Sequence, residues 1–579
     1  MEITRRTALR TGGFGALAAA GLIVPLSQAG PATGKSASRL NNLNFPRPYA
    51  APFVRPPLLR PYDTGEDGSG PFARYSLTAM VANAQIVPGL ATPIAGYNGI
   101  FPGPTIRVER GVRTELRVRN RLVTNPLHGG PFDISTHLHG SASLPQYDGY
   151  ANDITTPGAL KTYRYPNSQH ARSLWYHDHT VHVTGQNVYA GLAANYFVSD
   201  PAERRQLPQG EFDVPLTISD AIFADDGRLA YDDGEDGEHD GLWGDVILVN
   251  GVPWPKMQVK PRVYRFRVLN ASIARSYRPR LSDQSPMTIV ATDGGLMPVA
   301  QTVTSWRHGA AERYEVLIDF RRYAVGQKIN LINLSNKNND MFDHTRKIMQ
   351  FEVVPDTGAT PDEYVIPTTL DRGAMYGQHD VMALTPAMAV KKRYLRVHKQ
   401  GVAPERWVLN DRSWADVEAS GFQEVFANVA PNTVELWEIE NKGGGWFHPI
   451  HLHLVDFKVI WRNTNGKKPF AWEMGPKDTV YVGEGEKVRL LIPFDLSGGN
   501  QGGRYMIHCH NLPHEDHDMM IQYAVGDPGV NDPFSDPCVH DDLEDDRPEY
   551  DDDGGRDDGG SGGGGSDDPV PEPTSTDSP

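Results

Sequence analysis

His508-Cys509-His510-Asn511-Leu512-Pro513-His514-Glu515-Asp516-His517-Asp518-Met519-Met520 is the stretch on which the reading of this chain turns. On an extended strand, successive side chains point to opposite faces, and residues i and i+2 share a face roughly 6.5–7 Å apart. His508 and His510 therefore face one way and Cys509 the other. One strand then touches two metal centres, joined through the backbone beside a thiolate, which makes a short electron path. Cys509 needs companions. His514 and Met519 follow it across a turn begun at Asn511-Leu512-Pro513, and His448 comes from the other end of the same third of the chain. Two His, one Cys and a distant Met form the ligand set of a blue copper site, whose potential is tuned by the weak axial Met and the surrounding apolarity. Met520 is a rival axial ligand; spacing favours Met519.

Three further motifs point the same way: His137-Leu138-His139-Gly140, Trp175-Tyr176-His177-Asp178-His179 and His448-Pro449-Ile450-His451-Leu452-His453. A His-x-His pair on a strand aims two imidazoles in one direction, to grip two neighbouring ions or two positions around one. One such pair is cheap to find by chance; three, with a His-Cys-His, are not. Beyond the blue site, eight histidines remain: His137, His139, His177, His179, His451, His453, His508 and His510. Imidazole suits copper, and eight of them fit three ions with positions left open for dioxygen. The expectation is a redox enzyme holding several copper ions.

The rest of the chain supplies the frame. Its 579 residues suffice for three domains at roughly 150 each. The 58 Gly and 46 Pro favour a turn-rich, all-β fold. Thr114–Asn120, Tyr264–Asn270 and Thr433–Asn441 alternate apolar and polar residues, as half-buried strands do. Each ends in Asn at a turn, about one domain length from the next, which points to a threefold repeat of one β-domain. Boundaries fall near Asp200-Pro201 and in the Pro- and Thr-rich stretch around 355–370. The expected units are 30–200, opening with an extended arm at 30–60, then 201–360 and 361–540. The metal motifs lie in the first and third units and none in the middle one, so the site is expected between units one and three.

The tail 541–579 holds 15 Asp/Glu and 2 Arg, so it carries −13 of the formal −16 and leaves −3 on the rest. No basic field is present to attract nucleic acid. The tail cannot bury enough apolar surface to fold and is expected to be disordered, and the acidic, Gly-rich insert Asp225–Asp240 to be a mobile loop. Two cysteines cannot make a disulfide framework; with Cys509 a ligand, Cys538 reads as a free thiol, with an intermolecular bridge as the alternative. At the front, Arg5-Arg6 precedes an apolar run from Gly12 to Val24 that is too short to span a bilayer, and Ser27-Gln28-Ala29 offers a cleavage point. Residues 1–29 read as a twin-arginine export signal, with an ordinary secretory signal as the alternative. The mature protein is expected outside the cytoplasm, extracellular or in the cell envelope.

The four motifs, their order and their spacing resemble those of the multicopper oxidases, closest to the bacterial spore-coat laccase, bilirubin oxidase and phenoxazinone synthase type. The similarity covers about residues 45–535. It implies three cupredoxin-like Greek-key β-sandwich domains and four copper ions per chain. By motif, His448, Cys509, His514 and Met519 would hold the type 1 ion, and His137 and His451 the type 2. His139, His177, His179, His453, His508 and His510 would hold the type 3 pair. The resemblance also implies one-electron oxidation of small aromatic reductants (phenols, aromatic amines, tetrapyrroles) and four-electron reduction of dioxygen to water. Glu515 and Asp148 match acids that assist protonation in the family. Two alternatives stay open: a metallo-oxidase of cuprous or manganous ion, disfavoured by 14 Met with no Met-rich cluster, and a copper-free envelope scaffold, disfavoured by the complete ligand set. His182, His517, His344, His308 and His540 read as structural or lack partner spacing, and Trp175 and Trp446 as packing walls.

Overall fold

A computed structural model describes residues 38–130, 132–231, 241–357, 363–401, 406–443, 445–496, 500–540 and 550–551. The segment expected to be an export signal, the core of the acidic insert and most of the tail lie outside these residues. The fold is all-β, in three cupredoxin-like units of two sheets each. In the first, a four-stranded sheet (Ile106–Glu109, Ala193–Ser199, Arg172–Asp178, Thr136–His139) shares its core with a larger sheet built on Gly70–Ala84, Arg113–Asn120 and Ala159–Tyr165. The middle unit packs a seven-stranded sheet, centred on Asp213–Ala221 and Val263–Asn270, against a four-stranded one. In the third, Ala389–Gln400 and Val434–Asn441 belong to one five-stranded sheet. His448–Leu452 and Gly503–Cys509 are neighbours in the other.

The threefold repeat is visible atom by atom at the three asparagines. Asn120, Asn270 and Asn441 are each buried at the end of a strand. Each accepts at Oδ1 from the backbone N–H two residues on: Leu122 at 2.9 Å, Ser272 at 3.0 Å and Gly443 at 2.9 Å. Each donates from Nδ2 to two carbonyls: Phe132 and Thr155, Arg275 and His308, Trp446 and Val482. One side chain thus satisfies three backbone groups at a buried turn, where unpaired groups are costly.

Buried, two-pronged arginine pairs join the units. Arg172 meets Asp456 of the third unit at 2.8 and 2.9 Å. Arg313 of the middle unit meets Asp478 of the third. Such paired hydrogen bonds fix orientation as well as distance, and they set the first unit's His-bearing strands against those of the third. The N-terminal arm lies along the middle unit, with Tyr49 and Phe53 donating to Trp254 and Lys256. Two readings of the sequence shift. Asn511-Leu512-Pro513 opens a short helix, Leu512–Asp516, rather than a plain turn, because proline suits a first helical turn. Tyr550–Asp551 pairs with Leu58–Leu59, so the tail is not wholly without structure. Backbone pairing along an open strand edge requires no apolar surface. No helix of the described residues is long and apolar enough to cross a membrane.

Candidate metal centre

Cys509 points into the core of the third unit, where Met519 is also fully buried. Its Sγ lies 3.4 Å from His448 Nδ1 and 3.8 Å from His514 Nδ1, and the two imidazole nitrogens are 3.2 Å apart. Three soft or borderline donors converging this closely suit a single ion. Burial pushes the Cys509 thiol well up, so ionisation there needs a cation at hand. The backbone N–H of Asn511 donates to the sulfur at 3.4 Å. Trp407 packs on both histidine rings, with centroids 4.6 Å away. Strand alternation separates the two methionines. Met520 pairs across from His508 and packs in a different cluster with Tyr150 and Trp414, while Met519 shares the core that holds Cys509.

The other eight histidines meet between the first and third units, all of them buried. Adjacent strands bring His137 opposite His177 in the first unit and His451 opposite His508 in the third. The Nε2 atoms of His179 and His453 lie 3.2 and 3.1 Å from His508 Nε2. The rings of His139, His177 and His510 lie within 5.0 to 5.7 Å of one another. His137 and His451 face each other at 5.8 Å. Cys509 and its two neighbours therefore divide as alternation requires, with sulfur in one site and both imidazoles in the other.

Metal binding needs neutral imidazole, and burial enforces it. Burial, helped by the neighbouring rings, holds His177 at about 3 and His179 at about 4, and takes His137, His139, His451, His453 and His510 well below the usual range. Burial also holds His448 at about 3. The Nε2 atoms of His137, His177, His451 and His510 are buried with no hydrogen-bond partner. Each such atom costs about 1–3 kcal/mol, which an ion relieves. The donor set therefore fits copper.

Outer partners aim the rings. His508 Nδ1 lies 2.6 Å from Glu515 Oε2, and His453 Nδ1 2.8 Å from Asp148 Oδ2. The Asp148 carbonyl accepts from His137 Nδ1. Burial opposes charge on Glu515, but His508 and His179 outweigh it and hold the carboxyl at about 2. Burial pushes Asp148 well above the carboxylate range. Both acids singled out from the sequence thus touch the outward nitrogens of cluster histidines.

Sequence reasoning missed Asp478 and Arg313. Asp478 Oδ1 lies 3.2 Å from His139 Nε2, and its carbonyl 2.9 Å from His451 Nδ1. Arg313 grips this carboxylate and donates to Ser173 O at 2.9 Å, so all three units meet at one guanidinium. The chain passes so close that a Cβ on Gly140 would lie 2.5 Å from Asp478 Oδ2 and 2.6 Å from Arg313 Nη2; Gly140 also has φ +86°, a conformation that favours glycine. The only sequence cue is a charged pair, Lys477-Asp478, heading the buried strand Thr479–Val482. His182 is half-exposed near Asp518 and Glu418 and apart from the cluster. His308 is buried and bonded to the Glu312 carbonyl. Trp175 packs on His177; Trp446 meets His514 edge-on and stacks on Trp243 of the middle unit. Cys538 is a free thiol.

Sheet units of this kind, with a buried cysteine flanked by imidazoles that fit copper, define a copper-binding redox protein. Family models described as multicopper oxidase match residues 79–203, 195–352 and 394–529. Bilirubin oxidase of Albifimbria verrucaria is 38% identical over 523 residues, 86% of this chain and 85% of that one. Laccase of Bacillus subtilis (strain 168) is 34% identical, over 76% of this chain and 91% of that one. The crystal structure of McoA multicopper oxidase from Aquifex aeolicus matches with a TM-score of 0.68 at 27% identity, covering 82% of this chain and 100% of that one. The chain belongs to the multicopper oxidase family, copper-dependent oxidoreductases that use dioxygen.

Proposed function

We propose that the chain is a laccase-like oxidase that takes single electrons from phenols, aromatic amines or related donors and reduces dioxygen to water. The chemistry copper supplies when bound is one-electron oxidation at a type 1 site and four-electron reduction at a trinuclear cluster. His448, Cys509, His514 and Met519 would hold the first ion. His137 and His451 would hold the type 2 ion. Of the type 3 pair, one ion would take His139, His177 and His510, the other His179, His453 and His508. The observation that carries this reading is the position of Cys509: its sulfur lies with His448 and His514, while His508 and His510 on either side belong to the cluster.

The chain's own residues do four things here. Trp407 and the surrounding core exclude water from the thiolate. Glu515 and Asp148 orient His508 and His453; beside the cluster, Asp148, pushed up by burial, can hold a proton, and the ionised Glu515 can accept one. The half-buried Trp446, edge-on to His514 and backed by Trp243, offers an aromatic face to a donor. Arg313 and Asp478 fix His139 and His451. The test is copper analysis combined with oxygen uptake over phenols, aminophenols, bilirubin, cuprous and manganous ions. Four copper ions per chain and four one-electron donors consumed per dioxygen are expected; turnover confined to the metal ions would replace this reading with a metallo-oxidase. We propose in addition that residues 1–29 direct export by the twin-arginine route, so that Arg5→Lys with Arg6→Lys retains the protein in the cytoplasm of a bacterial host.

A further inference from the structure

On the middle unit, away from the histidine cluster, a cavity of about 590 Å³ opens over the sheet that contains Pro279–Leu281, Lys328–Asn333 and Lys347–Val353, with Lys347 Nζ 2.8 Å from His344 Nδ1. Its floor is a row across three antiparallel strands: Arg280 pairs with Ile332, and Ile332 with Lys347. Directly paired residues share a face, so two cations flank an aliphatic strip. Arg278 and Arg346 line the same cavity, and Tyr49 of the N-terminal arm also borders it. Four cations thus face a single carboxylate, Asp343.

These arginines differ from most others in the molecule. Arg172, Arg265, Arg267, Arg313 and Arg462 are all buried in ion pairs. Among the described residues, the side chains of Arg278, Arg280 and Arg346 have neither an ion pair nor a hydrogen bond, and Arg280 Nε is buried without a partner. Like charges gathered in a concavity repel one another unless an anion joins them, and a concave wall focuses their field. Guanidinium presents a planar fork that matches carboxylate two-pronged. Tyr49 keeps its proton, because burial pushes the phenol up to about 12, and so can donate as well.

We propose that this cleft is a binding site for clustered carboxylates, two or three held close together on a compact body that rests on Ile332. Two sources carry that chemistry. One is a dissolved polycarboxylate. The other is the chain's own acidic tail, whose residues 541–579 hold 15 Asp/Glu. Asp551 pairs with Leu58, nine residues along the arm from Tyr49, at most about 30 Å of chain. The 28 residues beyond Asp551 reach farther than that.

The probe is benzene-1,3,5-tricarboxylate, titrated calorimetrically into the copper-loaded full chain, with benzoate as the single-charge control. A second full chain has every Asp and Glu between 552 and 579 changed to Asn or Gln. If the site takes a dissolved ligand, both chains bind the tricarboxylate at least 10-fold more tightly than benzoate, and binding weakens as salt rises. If the tail is the resident ligand, only the neutralised chain binds it, or binds it far better. In either case Arg280→Gln with Arg346→Gln removes at least 10-fold of the affinity, while the oxidation rate, serving as the folding control, stays unchanged. Absence of binding by both chains, or affinity indifferent to the two substitutions, overturns the proposal.

Discussion

The two groups of candidate ligands share one strand and differ in almost everything else. The pocket around Cys509 lies inside a single unit, walled by Trp407 and the core residues that surround Met519. The eight-imidazole cluster lies between two units, and nearly every ring in it leans on an oxygen: Glu515, Asp148, Asp478 or a backbone carbonyl. Electron transfer through the pocket calls for small rearrangement and little water, so an apolar wall serves it. Dioxygen reduction needs protons and several ions held at fixed spacing, so charged braces serve the cluster. The pocket should therefore be sensitive to its ligands alone, and the cluster to residues that never touch a metal.

The largest effect tests the pocket. Cys509→Ser leaves no thiolate, so the intense blue absorption disappears and oxidation of any donor falls to background, while the cluster histidines remain in place. Retained colour with retained turnover would dissolve the distinction between the two sites. Next comes the brace that spans all three units. Arg313→Met leaves Asp478 buried without its partner, a cost of about 3–5 kcal/mol, read as a lower unfolding temperature. Asp478→Asn is the gentler change. Loss of such an outer partner weakens metal binding about 10–100-fold, so the type 2 electron paramagnetic resonance signal should fall at limiting copper while the blue band stays. Equal loss of both signals would mean that Asp478 holds the fold and not the cluster.

Glu515→Gln is smaller and more selective. The amide keeps the shape beside His508 but cannot hold or release a proton in the same way. Oxygen uptake should slow about 100-fold, while anaerobic bleaching of the blue band by a donor keeps its rate. Slowing of both would place Glu515 in structure alone.

The candidate ligands were legible because their spacing is local. His-x-His and His-Cys-His are readable wherever a strand alternates, and Asn120, Asn270 and Asn441 announced the repeat because a strand that ends in a buried turn needs one side chain for three backbone groups. Asp478 and Arg313 were not legible. They lie 27 residues after His451 and in a unit with no ligand motif, and their role exists only once three units pack together. The anion cleft was hidden for the same reason: Arg280, Ile332 and Lys347 are scattered in sequence and become a row only through strand register.

The smallest expected effect decides how far the pocket's apolar wall matters in its own right. Met519 is fully buried in the core around Cys509, and a thioether there is a weak, distant donor. Met519→Leu conserves volume and should cost less than about 1.5 kcal/mol of stability. The thiolate and both imidazoles remain, so the blue band should persist. Removing the thioether donor would favour the reduced ion, so the potential should rise and easily oxidised phenols should turn over at least as fast. Met520→Leu should leave the potential where it was, since that side chain packs with Tyr150 and Trp414 on the opposite face. A potential moved by Met520 and not by Met519 would transfer the proposed thioether role to Met520 and show that the helix Leu512–Asp516 directs the chain differently from this register.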